Sequence, residues 1–203
     1  MKFSPVFIVF LVLCTAVSGQ DRLGNFEARC QNFISISGGT NVNEFELQQE
    51  VPESLVCGLG DSKWVPYPEK ELYIISIPVR NFSATNKMVY KDFLKLLKVT
   101  SYPDIKIFMD EEQFNALYSG SNFYLANIGV IVSGVSRYYR IPCTISPCVD
   151  GRITVSGRQE LMLTDFKLEP PEKTLGLIKV QNQLIINFEF RLPLNQELNY
   201  SKI

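Results

Sequence analysis

Histidine is absent from all 203 residues, and that gap closes several chemistries. Ser-His-Asp and Cys-His nucleophile systems need the imidazole as their base, and zinc sites use it as their commonest ligand. Cysteine could replace it at zinc only in paired short spacings, which Cys30, Cys57, Cys143 and Cys148 do not supply. No metal, no cofactor and no enzyme activity are expected. An excess of charge of one sign is lacking as well. The chain carries 20 Lys and Arg against 21 Asp and Glu, net −1, with no basic block, so nucleic acid is not an expected partner. Long apolar runs are also missing: Val6 to Leu13 is unbroken but well short of the ~20 residues of a membrane-spanning helix. A membrane-embedded barrel would need many long hairpins with apolar residues outward. Too few strands, an internal amphipathic helix and a polar tail after Leu192 argue against that.

What is present begins with an export signal. Met1-Lys2 is a short positive start, Val6 to Leu13 an apolar centre, and Val17 and Gly19 stand at −3 and −1 of a cut before Gln20. Residues 1–19 therefore read as a cleaved secretory signal peptide, and the product is expected to be exported, periplasmic or secreted. Leu13 directly before Cys14 fits a lipoprotein cut poorly. The remainder divides into a single domain over 20–194 and a polar tail over 195–203, a size that suits one β-domain. With 46% hydrophobic residues it is not a disordered chain.

Four cysteines survive cleavage, and an exported protein can pair them in three ways. Cys143 and Cys148 flank Pro147 across a short connection, which suggests a local disulfide; Cys30–Cys57 would be the second. The plainer reading makes Cys143 a small core residue, since it shares a face with Tyr139, Ile141 and Ile145.

The periodicity is that of strands. In Leu184 to Leu192 every second residue is large and apolar (Leu184, Ile186, Phe188, Phe190, Leu192), which makes one apolar and one wetted wall. Phe33 to Leu47 reads as a strand, a Gly38-Gly39 bulge or bend, then a second extended piece. Leu72 to Val79 is apolar on both faces. Asp104–Met109, Asn127–Gly134, Arg137–Ile145, Arg152–Ser156, Gln159–Leu163 and Leu177–Val180 complete the set, with a break at Gly157 and a loop over 164–176 around Pro170-Pro171. The period changes once. Val89, Phe93, Leu96 and Leu97 fall on one helical face and Lys87, Lys91, Lys95 and Lys98 on another, which predicts a helix over Asn86–Lys98 with a solvated lysine stripe. Asp110-Glu111-Glu112 before Phe114 and Leu117 predicts a short helix closed by Gly120. Those carboxylates suit a helix N-terminus better than acid–base work, because no partner nucleophile accompanies them.

Four segments, in order, resemble the YceI-like family of exported lipid- and polyisoprenoid-binding proteins. ISGGTNVNEFEL is similar to its opening turn and strand at Gly39, Thr40, Asn41, Val42 and Phe45. KMVYKDFLKLLKVTSYPDIKI resembles its helix and following strand at Met88, Leu97, Tyr102, Pro103, Ile105 and Ile107. VIVSGVSRYYRIPCTI matches its hairpin at Gly134, Val135, Ser136 and Arg137, and LMLTDFKLEPPEKTLGLIKVQNQLIINFEF its ending. The match spans roughly residues 33–192. Asn43 stands where many members carry His, and the four cysteines are not a family feature.

The resemblance implies an all-β fold with one or two short helices: a lipocalin-like, eight-stranded antiparallel barrel. It also implies a long apolar ligand, an isoprenoid or other lipid, held inside for transport, storage or protection. An eight-stranded barrel can be filled by its own side chains or can hold one slim ligand. The expected inward set is Ile34, Ile36, Phe45, Ile105, Ile107, Val130, Val132, Tyr139, Ile141, Leu184, Ile186, Phe188 and Phe190. Arg137 and Arg140, beside Tyr138 and Tyr139, are candidates for a head-group phosphate. A filled barrel acting through its surface, with the Cys57–Lys70 loop and Trp64 as contact, is the alternative. A homodimer is left open.

Overall fold

The computed structural model describes residues 32–52, 72–148, 150–173 and 177–192. The signal segment, Cys30, Cys57 with the pairing expected of them, the Cys57–Lys70 loop and the tail over 195–203 lie outside the described residues. In chain order the strands are β1 (Phe33–Thr40), β2 (Glu44–Glu50), β3 (Leu72–Pro78), β4 (Ser83–Ala84), β5 (Asp104–Asp110), β6 (Phe123–Val132), β7 (Val135–Pro147), β8 (Ile153–Met162), β9 (Glu172–Lys173) and β10 (Ile178–Leu192). Helix α1 (Lys87–Leu96) lies between β4 and β5, and α2 (Glu111–Ala116) between β5 and β6. Eight strands are long and two are single-step additions.

All pairings are antiparallel, in the spatial order β3-β5-β6-β7-β8-β10-β1-β2-β4, with β9 beside the start of β10. The two outermost strands, β3 and β4, are neighbours in sequence, joined by the 3-10 turn Val79–Asn81. The chain therefore brings one edge of the sheet back to the other, and the sheet curls around its apolar face. Buried Val79 and Phe82 sit at this seam, with the Phe82 ring edge-on to Phe93 of α1 at 5.4 Å. The all-β, barrel-like fold is the one expected.

Local chemistry explains the elements. Asn86 caps α1 by accepting from the Met88 N–H at 2.8 Å, and the expected helix is regular over 87–96, its lysines outward. Asp110 caps α2, accepting from Gln113 N at 2.8 Å, and the Phe114 ring stacks on Tyr73 at 3.9 Å. The expected irregularity at Gly38-Gly39 is a register shift between Gly38 and Thr40. The hairpin turn itself comes later, closed by Thr40 N–H to Asn43 O at 2.7 Å.

Four expectations are corrected. Gly157 does not interrupt a strand; β8 runs through it, because the missing side chain makes room for the Phe188 ring. A Cβ there would stand 2.6 Å from Phe188 Cζ. The 164–176 loop contains β9, and β10 is one continuous strand through Gln181-Asn182-Gln183. Cys143 and Cys148 are both buried and are not bridged to each other. β7 stays extended through Pro147, so five residues at ~3.3 Å each place them about 16 Å apart, beyond the ~7 Å that a bridge tolerates. The Cys148 thiol instead meets Thr154 Oγ1 at 3.0 Å. Among the described residues no helix is long and apolar enough to cross a membrane.

Candidate functional site

Strand alternation gives each long strand an inward row, and cross-strand register stacks these rows into rungs. One rung is Gly38, Leu184 and Leu161; the next inward is Ile36, Ile186 and Gln159; the next is Ile34, Phe188 and Gly157. Phe188 and Phe190, stacked with centroids 5.5 Å apart, are buried and plug part of the interior. By contrast Leu184, Ile186, Leu161 and Ile107 point inward yet are only half-buried. They face a hollow of about 180 Å³, walled by the sheet and closed by Phe93 and Leu97 of α1 at one end and by Phe114 and Leu117 at the other.

Of the expected inward set, every residue except Phe45 and Tyr139 lines this hollow. Phe45 lines a second, wider cleft of about 750 Å³ between α1, the β1–β2 hairpin and the start of β10. Ile36, Phe93, Leu163 and Leu184 belong to the walls of both, so the cleft adjoins the interior across these side chains, in the position of a vestibule. A Cβ on Gly38 would lie 2.6 Å from both Leu184 Cδ2 and Phe45 Cζ, so a glycine here lets these two side chains close in on the β1 backbone beside this passage. Val42 and Met88, each 59% exposed, stand on opposite banks of the vestibule.

Tyr139 is on the inner face of β7 but packs against Phe166 and donates from its hydroxyl to Asp165 Oδ2 at 3.2 Å. Burial, reinforced by the Asp165 carboxylate, pushes this phenol up to about 12. The head-group candidates fare differently from expectation. Arg137 shares Tyr139's row, is exposed and donates to the Ser136 carbonyl at 2.8 Å. Arg140 belongs to the opposite, outward row with Tyr138. Neither lines the interior or the vestibule.

Residues not singled out as lining include those of the two helices and their ends, Tyr73 and Ile75 of β3, further positions on β5 to β8 (Ala126, Ile128, Val155, Gln159 and Leu161 among them), and Leu163, Phe166 and Leu168 around the 3-10 turn Leu163–Phe166. The helical period of α1 marked its apolar face, but only the tertiary arrangement turns that face into a wall. The motif residues meet at the vestibule end. Asn41 accepts from Lys179 N at 3.0 Å and donates to Leu177 O at 2.8 Å, tying the first motif to the fourth. Ser133 donates to Leu97 O at 2.9 Å and the Tyr102 ring covers Gly134, tying the second to the third.

No family model matches the chain, and no curated protein matches it in sequence. Solved structures do match in shape. BcnA of Burkholderia cenocepacia superposes over 78% of this chain and 94% of its own, with TM-score 0.53 at 16% identity. A polyisoprenoid binding domain from Saccharophagus degradans, implicated in plant cell wall breakdown, covers 78% of this chain and 91% of its own, with TM-score 0.53 at 9% identity. A Campylobacter jejuni YCEI protein covers 60% and 71%, with TM-score 0.43 at 16% identity. At such identities the likeness is one of fold, shared with BcnA and with the polyisoprenoid binding domain.

Proposed function

We propose that this protein binds a long apolar molecule, an isoprenoid or other lipid, by burial, and that it carries, stores or protects that molecule after export without making or breaking a bond. The carrying observation is the pair of adjoining apolar spaces, the vestibule and the inner hollow, with half-buried Leu184 in the walls of both and half-buried Ile186 in the hollow. Volume decides how the ligand sits. The inner hollow alone, about 180 Å³, is little larger than the ~150 Å³ cavity that holds benzene. Adding the vestibule brings the space into the ~300–1,000 Å³ range of ligand sites. A long chain is therefore expected to lie across both, and at ~0.8 kcal/mol per buried methylene a few isoprene units supply useful affinity.

Leu184 stands where the two spaces join, so Leu184→Trp should fill the passage. Titration with a polyprenol, followed by displacement of a fluorescent lipid probe, should show affinity about tenfold or more weaker in the variant, with an unchanged circular dichroism spectrum. Unchanged affinity in a folded variant would mean that the ligand does not pass this point.

A further inference from the structure

We propose that the ligand ends in an uncharged oxygen, a hydroxyl or a carbonyl, that this oxygen bonds the side-chain amide of Gln159 inside the barrel, and that a phosphate-bearing lipid is disfavoured. The inference rests on the carrier reading and specifies its ligand. Among the described residues that line the inner hollow none is charged, and Gln159 is the one side-chain amide beside apolar residues, Tyr73 and the sulfur-bearing Met109, Met162 and Cys143. Gln159 sits in the rung Ile36–Ile186–Gln159, one step in from Leu184 and directly before the Phe188 plug. Ile36 lines both spaces, so an end group arriving from the vestibule reaches this rung next after passing Leu184.

The amide donates from Nε2 to the Glu160 carbonyl at 2.7 Å. An amide has two N–H groups and an acceptor oxygen, so it retains the capacity to donate to a carbonyl or to exchange a hydrogen bond with a hydroxyl. It has no charge with which to compensate a buried phosphate, and an uncompensated ion in such surroundings costs several kcal/mol. The approach points the same way. Among the described residues the charged side chains lining the vestibule are Glu44, Glu46 and Asp92, all acidic, while Arg137 and Arg140 line neither space. The uncharged end goes in first and the apolar chain lies along the vestibule wall of Phe45, Val89 and Leu96.

The test uses the mature chain with geranylgeraniol, geranylgeranyl phosphate and the hydrocarbon phytane, each displacing a fluorescent lipid probe. The alcohol should bind about tenfold or more tighter than the phosphate. Gln159→Leu should weaken the alcohol about tenfold, the worth of one hydrogen bond, and leave phytane unchanged. Gln159→Met, closer in length, should do the same and serves if the leucine variant does not fold. Phosphate binding as tight as the alcohol, or alcohol binding indifferent to both substitutions, overturns the assignment while leaving the carrier intact. Failure of all three ligands to bind the folded wild-type chain overturns the carrier reading and this assignment with it.

Discussion

Cys143 and Tyr139 are inward residues of one strand, and their protons report on how dry each end of the interior is. Burial pushes the Cys143 thiol up from 9.0 to about 11, partly offset by a backbone hydrogen bond from Ala126. Tyr139 rises from 10.0 to about 12, by burial first and then by the Asp165 charge and hydrogen bond, with Arg137 opposing. Both groups bind their protons more tightly folded than unfolded. Their contribution to stability is therefore complete below the unfolded values, 9.0 and 10.0, and is lost as pH rises toward about 12. The urea midpoint should hold steady to about pH 8.5 and fall above it, and Tyr139→Phe should remove the upper part of that fall. A midpoint flat to pH 11 would show that neither group is sequestered. The Cys143–Cys148 pairing illustrates what residue-level reading misses. Proximity in sequence is not proximity in space when the intervening residues continue a strand.

At the scale of elements, periodicity carried most of the fold. The alternation in Leu184–Leu192 and the lysine stripe of α1 were legible because each element repeats its face several times. The short pieces were not. β9 is two residues long, and the continuity of β8 through Gly157 depends on Phe188, which lies 31 positions downstream in the chain and arrives opposite it only through the β8–β10 register. The role of α1 as a vestibule wall was illegible for the same reason, since an amphipathic face says that something is covered and not what. Asn86 gives a handle on that wall. Its side chain accepts from the Met88 N–H, so Asn86→Ala should cost about 1 kcal/mol of stability and loosen the first turn, which carries Met88 and Val89. Stopped-flow dilution should then show faster ligand release with little change in the uptake limit. Release at the wild-type rate would separate α1 from ligand retention.

For the whole molecule, the decisive feature is that β3 and β4, the outermost strands of the sheet, are consecutive in sequence. Topology thus curls the sheet, and curling makes an interior that eight long strands can either fill or leave partly open. The buried Phe188–Phe190 stack fills part of it; the half-buried Leu184, Ile186 and Leu161 face the space that stays hollow. The sequence could place these side chains on one face, but not divide them between plug and hollow, because that depends on which rungs meet Gly157 and which meet α1. Nor could it show that Arg140 faces away from the interior while Arg137 stays outside both spaces, since the mouth is assembled from four separated segments.

The central claim, that the hollow and its vestibule hold an apolar molecule, is tested most directly by native mass spectrometry of the protein recovered from its own cells or their medium. The account predicts a one-to-one adduct that leaves with organic solvent and returns when the emptied protein is incubated with a polyprenol. A mass equal to that of the bare chain, before and after incubation with polyprenols and fatty acids, would contradict it.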